Sequence, residues 1–300
     1  MNRVRKRNLL IVIILILFFG SYARHRFVVK GIDIVGRLQN KQLNEISGIA
    51  ASGIFKDIYY IHNDSDDTSR VFSISPEGKL KNTIYFKGDA TIKLGVKDCE
   101  DIAVGIGPAA GKSYIYMGDI GDNNAVRKYI TIYRIEEQPA WAKDSLIKAA
   151  SVPLHLKYPD GPKDAETLML DPIEKLLYIV SKRGDTVGVY TTPLKYKPND
   201  TVVLTKRCKL FFEGIKPLKW ITAGDISRDG QQILIKNYEK VYYWRRIGKE
   251  PIWQTVQRKP AELPYQPEKQ GEAIGFTLDG TGYYTTSEGV FAPIYYYKSP

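Results

Sequence analysis

A short phrase that recurs five times along this chain constrains its fold more than any other feature. In each copy, small or acidic residues precede a short apolar run. The copies are marked by Ser47, Glu100, Glu166, Gly224 and Glu272. Successive markers are roughly 50 to 65 residues apart, which is typical of β-propellers, where each repeat forms one blade of four strands. The sequence therefore predicts an all-β fold, a single β-propeller of five blades.

The blade count and the closure of the ring follow from the spacing. Six blades would result if the long interval between Glu100 and Glu166 held a further blade. The last repeat lacks a fourth strand, and we expect the apolar residues 27–34 to supply it, which removes the free sheet edges that promote aggregation. We also expect outer strands at residues 202–212 and 252–257, and a short helix at residues 139–150.

Composition and charge limit the classes of protein that this chain can belong to. Of its 300 residues, 43% are hydrophobic and 21 are tyrosine, which favours strands in one folded domain, residues 27–300. Residues 1–30 contain seven lysines and arginines and no acid, so the net charge of +11 leaves 11 − 7 = +4 for the rest. So small an excess gives no basis for nucleic-acid binding.

Residues 1–26 have the order of an export signal. Basic residues precede an apolar run at residues 9–19, and the small residues Ser21 and Ala23 offer a processing site. Arg24 and Arg26 follow at once, so an uncleaved signal-anchor in the membrane is the alternative. In both cases we expect the propeller to lie outside the cytoplasmic membrane, in the periplasm or at the cell surface.

Cys99 and Cys208 are the only cysteines of the chain. They fall on the inner strand of one predicted blade and the outer strand of the next, so we expect them to be unpaired. Two isolated cysteines also cannot form a cysteine-rich zinc site.

Polar residues are predicted to meet at one end of the propeller. The loop that enters each inner strand and the loop that leaves the second strand open on the same face. The leaving loops are polar, at residues 62–67, 118–123, 181–183, 237–238 and 287–288. The entering positions are acidic, and they hold Glu100, Asp101, Asp164, Glu166, Asp225 and Glu272.

Such a cluster suits a hard cation or acid–base chemistry. Calcium binds six to eight oxygens, often from separate loops. The predicted calcium ligands are Asp64, Glu100, Asp119, Glu166 and Glu272. Lys182 and Arg183 would hold an anionic group of a substrate, and His62 would transfer a proton. The alternative is structural, because such residues often hydrogen-bond the backbone of neighbouring blades or cap turns.

Several motifs together carry a resemblance that covers most of residues 40–290. They are Ile46-Ser47-Gly48-Ile49, His62-Asn63-Asp64-Ser65, Cys99-Glu100-Asp101-Ile102, Gly118-Asp119-Ile120-Gly121-Asp122-Asn123, Asp164-Ala165-Glu166 and Gln270-Gly271-Glu272-Ala273-Ile274. The chain resembles an uncharacterised group of exported bacterial propeller proteins and, more distantly, the SdiA-regulated and esterase-like phytase propellers. The resemblance implies a mouth that binds a metal or a ligand, and it implies no particular reaction.

Three functions are left open. The first is a calcium-dependent hydrolase of a phosphoester, a lactone or another oxygen ester. The second is a non-catalytic, monomeric propeller that binds a small molecule, a glycan or a partner protein, with Trp220 and Tyr238 as aromatic contacts. The third is a glycosidase, whose paired carboxyl groups would lie about 5–5.5 Å or about 6.5–9.5 Å apart.

Overall fold

Five inner strands surround one axis. The computed structural model describes residues 32–198 and 200–300, and its regular structure is almost entirely β. Five sheets follow one another along the chain. The inner strand of each sheet packs against that of the next, and the inner strand of the last packs against that of the first. The protein is therefore a five-bladed β-propeller, as the repeat predicts.

The four main strands of each blade are given from the channel outward. Blade 1 has Ile46–Ala51, Tyr59–Asn63, Arg70–Ile74 and Leu80–Phe86. Blade 2 has Cys99–Ile106, Ser113–Asp119, Ile130–Glu136 and Val152–Lys157. Blade 3 has Ala165–Asp171, Leu176–Ser181, Thr186–Pro193 and Thr205–Phe211. Blade 4 has Ile221–Ile226, Gln232–Asn237, Val241–Arg245 and Ala261–Leu263. Blade 5 has Ala273–Phe276, Gly282–Thr286, Pro293–Lys298 and Asp33–Arg37.

The ring is closed by the N-terminal part of the domain. Asp33–Arg37 pairs antiparallel with Pro293–Lys298, with Asp33 opposite Tyr296 and Arg37 opposite Pro293. The prediction that an N-terminal segment forms the outer strand of blade 5 is thus confirmed. The strand ends at Arg37, three residues after the predicted end at residue 34. Residues 1–31, which include the predicted signal or anchor and most of the predicted closing segment, lie outside the described residues. Within the described part of the chain, no helix has the length and apolar content needed to cross a membrane.

Two short strands join neighbouring blades. Leu146–Ala149 runs parallel to the outer strand of blade 1, although it precedes the outer strand of blade 2 in the chain. Thr201–Val203 pairs in the same way with blade 2 before the chain completes blade 3. The first of these excursions accounts for the long interval between Glu100 and Glu166, so that interval holds no sixth blade.

The excursions correct two sequence expectations. Residues 202–212 are not one strand, because the chain changes blade at the buried Leu204. Residues 139–150 are helical only over the 3₁₀ turn Pro139–Lys143.

Residues 252–257 are not an outer strand of blade 4. They form the short helix Ile252–Thr255, and Ala261–Leu263 is the outer strand instead. Ile252, Thr255 and Val256 are all buried, and this spacing places them on one face of a helical turn. In a strand, Thr255 and Val256 would point to opposite faces.

Apolar side chains fill each gap between neighbouring blades. There are five buried clusters within the described residues, and each combines residues from two adjacent blades. The cluster between blades 2 and 3, for example, contains Tyr116 and Tyr190, and both are fully buried. Each sheet is therefore apolar on both faces, which explains the abundance of tyrosine. Cys99 and Cys208 are unpaired, as expected.

A buried ion pair joins blades 3 and 4. Arg246 contacts Asp171 Oδ2 through Nη2 at 2.5 Å, and both side chains are fully buried. We expect Arg246→Ala to lower the free energy of unfolding by about 3–5 kcal/mol, because it leaves a buried carboxylate unpaired. The neighbouring Arg245 is exposed, so Arg245→Ala should change it by less than about 0.5 kcal/mol. Chemical denaturation measures both values, and equal losses would contradict the prediction.

Candidate cation site at the propeller mouth

Bulges at the start of the inner strands direct side chains into the mouth. In blades 1 to 4 the pairing register shifts near the first residue of the inner strand. A bulge leaves one residue out of the pairing and changes the direction of its side chain. The residues in the bulges are Ser47, Glu100, Glu166 and Thr222. Glu272 directly precedes the inner strand of blade 5. Thr222, not Gly224, is therefore the blade 4 equivalent of Glu100.

Asp101 and Asp225 link neighbouring blades. Asp101 Oδ2 accepts a hydrogen bond from the backbone N–H of Leu168 in blade 3, and Asp225 Oδ2 accepts one from Phe276 in blade 5, both at 2.8 Å. Each carboxylate also accepts a hydrogen bond from the N–H of the residue that follows it. These two entering positions have the structural role that the sequence left open.

Two of the predicted calcium ligands face cationic side chains. Asp119 Oδ1 lies 2.7 Å from Arg127 Nη1, and Asp119 is fully buried. Asp119 also accepts hydrogen bonds from the backbone N–H groups of Lys97 and Asp98. Glu166 forms an ion pair with Lys182 Nζ. Asp119 and Glu166 are absent from the closest groups of carboxylates among the described residues.

The other three predicted ligands come together with two further carboxylates. Asp64, Asp98 and Glu100 form one group, and Asp64, Glu272 and Glu288 form another. In each group the nearest oxygens all lie within 4.8 Å of one another. Blades 1, 2 and 5 thus contribute five carboxylates, which we call the acidic mouth, and Asp64 belongs to both of its groups.

Asp98 and Glu288 were missing from the predicted ligand set. Glu288 lies in a loop that the sequence placed at the mouth. Asp98 precedes Glu100 by two residues, as Asp164 precedes Glu166. That repeated spacing was a usable signal for Asp98.

The acidic mouth is electrostatically unfavourable when all its carboxylates are ionised. Burial, together with the charges of Asp98 and Glu272, raises the pKa of Asp64 to about 7. Burial and Glu272 raise the pKa of Glu288 to about 8. The pKa of Glu100 is raised well above its usual range by burial and by Asp64 and Asp98. A bound cation would relieve this repulsion.

Several local features fit a hard cation such as calcium. Both groups consist of carboxylates alone, and oxygen is the ligand atom that calcium prefers. Asp64 Oδ1 is buried and has no hydrogen-bond partner. Gly121 packs against the first group so closely that a Cβ there would lie 2.4 Å from both Asp98 Oδ2 and Glu100 Oε1. The glycine therefore keeps the space beside these two carboxylates open.

His62 lies inside the wall of the propeller. Its side chain is buried beside Gly48, Asp101 and Ile102, at the contact of blades 1 and 2. Nδ1 donates a hydrogen bond to the carbonyl oxygen of Asn63 at 2.8 Å, and Nε2 has no partner. Burial lowers the pKa of His62 to about 4, so the ring is neutral near pH 7. His62 belongs to neither carboxylate group.

Lys182 and Arg183 occupy different environments. Lys182 is buried, and Glu166 balances its charge. Arg183 is at the rim with about a third of its side chain exposed, and its Nε lies 2.8 Å from Asp164 Oδ2. Its guanidinium lies over the half-buried ring of Trp220, 4.9 Å from the centroid. The other predicted aromatic contact, Tyr238, donates its hydroxyl hydrogen bond to Glu272.

No known protein family and no curated protein matches the sequence. A solved structure of a nidogen/laminin complex is similar to the chain, with a TM-score of 0.43 and 12% identity. The similarity covers 82% of this chain and 73% of that chain. A resemblance this distant says nothing about the site or its function.

The raised pKa values predict how stability depends on pH. With EDTA present, the native state retains protons on Asp64 and Glu288 that the unfolded state releases at its ordinary carboxyl pKa of about 4. Stability should therefore fall as pH rises through 7 to 8, with a shift of about 2–4 °C in melting temperature for each kcal/mol lost. Thermal unfolding at pH 6.5 and at pH 8 measures the difference. Glu288→Gln should reduce it, whereas the exposed Glu262→Gln should not, and a rising melting temperature would contradict the prediction.

Proposed function

We propose that this protein is an extracytoplasmic, calcium-binding propeller that hydrolyses a phosphoester, a lactone or another ester at its acidic mouth. One observation carries the proposal. Three blades hold five carboxylates within reach of shared ions, and no lysine or arginine in the described residues forms an ion pair with any of the five. The charges of Lys182 and Arg127 lower the pKa values of Asp64, Glu100 and Asp98, but burial and the neighbouring carboxylates outweigh them and the pKa values still rise. The arrangement therefore favours a cation as a further partner.

The residues of the mouth divide into ion ligands and substrate contacts. Asp64 would hold calcium with Asp98 and Glu100, or with Glu272 and Glu288. When bound, calcium would act as a Lewis acid on an ester oxygen. Arg183 lies at the rim, where its Nε pairs with Asp164 and its two Nη atoms each donate a hydrogen bond to Asn123. Two of its five N–H donors are left, and these would bind an anionic group of the substrate.

Proton transfer would fall to a carboxyl group. His62 is enclosed in the wall. With calcium held by Asp64, Asp98 and Glu100, Glu288 would be left free of the ion, and burial and Glu272 raise its pKa to about 8. Groups with pKa values near the working pH are suited to act as general acid or base. The carboxyl group thus takes the role in proton transfer that the sequence analysis assigned to His62.

A non-catalytic binding propeller is the second candidate. The partly exposed guanidinium of Arg183 over Trp220 forms a flat polar surface at the rim, which is suited to contact with an anionic or glycan ligand. A glycosidase is less favoured, because the nearest oxygens of the grouped carboxylates lie within 4.8 Å of one another. Three oxygens this close to one another suit a shared cation, whereas a glycosidase needs two carboxyl groups that face each other across a cleft.

The location is part of the proposal and depends on residues 1–26, whose sequence has the order of an export signal. Calcium sites of extracellular modules bind with dissociation constants of about 10⁻⁴–10⁻³ M. A site formed by a few carboxylates on separate loops fits that range.

Calcium binding is tested by thermal unfolding in EDTA and in millimolar calcium. We expect calcium to raise the melting temperature by several degrees, because an ion that binds only the native state stabilises it by RT ln(1 + [L]/Kd). Glu100→Gln and Gly121→Ala should abolish the rise, the second by placing a methyl group between two ligands. Glu262→Gln, on the outer strand of blade 4, is the matched control and should keep it. No rise in the unchanged protein would overturn the calcium site.

Hydrolysis is tested with p-nitrophenyl phosphate, p-nitrophenyl esters and lactones, each with calcium and with EDTA. We expect turnover that EDTA abolishes. Arg183→Gln should raise KM for an anionic substrate by about tenfold with a smaller effect on kcat, since it removes a binding contact. A calcium-dependent rise in melting temperature without turnover of any substrate would favour the non-catalytic propeller.

A further inference from the structure

The opposite end of the central channel holds an apolar pocket. The inner strands begin at the acidic mouth and end at Ala51, Ile106, Asp171, Ile226 and Phe276. Around these ends lies a cavity of about 270 Å³, which all five blades line. Ala51, Val104, Leu170, Ile226 and Phe276 provide its apolar surface. Its volume suits a small ligand.

One cation stands at the rim of this pocket without an acidic partner. Arg228 of blade 4 is exposed, and its Nη1 donates a hydrogen bond to the carbonyl oxygen of Gly53 in blade 1 at 2.8 Å. Blades 1 and 4 are not neighbours in the ring, so the side chain extends across the end of the channel. No carboxylate of the described residues forms an ion pair with Arg228.

The other charged groups near the pocket already have partners. Lys112 Nζ, also at the rim, lies 3.0 Å from Glu136. The buried Glu137 accepts hydrogen bonds from the hydroxyls of Ser52 and Tyr60 and from the N–H of Gly53. Asp225 is in the inner strand of blade 4, which ends before Arg228, and its carboxylate accepts two backbone hydrogen bonds.

We infer that this pocket binds a small amphiphilic anion, such as a medium-chain carboxylate, with its apolar body in the channel end and its anionic group on Arg228. The apolar lining favours the body of such a ligand. The planar guanidinium of Arg228 has donors left for a carboxylate. Arg228 sets the orientation, because an anionic group placed deeper would leave this cation and meet the carboxyl group of Asp225, which offers no positive charge. This site is separate from the acidic mouth and does not depend on the proposed hydrolysis.

The test is calorimetric titration of the protein with octanoate, 1-octanol and acetate. We expect octanoate to bind, and Arg228→Gln to weaken its binding by about tenfold or more while leaving octanol binding unchanged. Arg245→Gln removes another exposed arginine of blade 4, away from the pocket, and should have no effect on either ligand. Acetate should not bind, because it lacks the apolar body. Absence of octanoate binding, or equal octanoate binding by Arg228→Gln, would overturn the inference.

Two further measurements locate the ligand. Val104→Phe fills the pocket and should weaken the binding of both octanoate and octanol, and its melting temperature shows whether it is folded. EDTA should leave octanoate binding unchanged, because the acidic mouth is at the other end of the inner strands. Loss of octanoate binding in EDTA would place the ligand at the mouth and contradict the proposed pocket. If Val104→Phe does not fold, the comparison of Arg228→Gln with Arg245→Gln decides the question.

Discussion

The contact of each inner strand with the next holds the two ends of the channel in place. Apolar clusters fill the five gaps between blades, and the pairing of Asp33–Arg37 with Pro293–Lys298 closes the ring. Asp101 and Asp225 add hydrogen bonds from one blade to the backbone of the next. A closed ring of this kind limits how far any one strand can move. The strand ends next to the acidic mouth are therefore held in place, which keeps its carboxylates near one another.

Two classes of buried carboxylate can be distinguished by their neighbours. Asp119 and Asp171 each face an arginine, so the charge of each is compensated within the fold. Asp101 is intermediate, because it accepts backbone hydrogen bonds while burial raises its pKa well above the usual range. Asp64 and Glu100 instead have other carboxylates as neighbours, and their pKa values rise. A structural role is sufficient to account for carboxylates whose charge is compensated. The uncompensated ones are costly to the fold, which is why they mark a candidate site.

The sequence predicted the repeat better than the contacts between repeats. Short-range patterns are sufficient for the blades, because alternation and turns are local. The repeat marks Gly224 as the blade 4 equivalent of Glu100, whereas the structure has Thr222 there. The bulge that brings Thr222 to the mouth depends on pairing with the next strand, which the sequence motif does not show. Arg127 could not be recognised as the partner of Asp119 either, because the loop conformation decides which cation reaches it. Asp98 could have been found, since it repeats the spacing of Asp164 from Glu166.

The two ends of the channel differ in chemistry although the same five strands form both. In blades 1 to 4 the first residues of these strands form bulges that carry polar side chains, whereas near their last residues the strands present Ala51, Leu170 and Phe276. Between the ends the channel is narrow, since the inner strands of the non-neighbouring blades 1 and 4 also approach each other. A Cβ on Gly275 would lie 2.3 Å from the carbonyl oxygen of Ile49, so even the walls leave little room. Two ligands could thus bind at opposite ends without contact, and any coupling between them would have to pass through the strands.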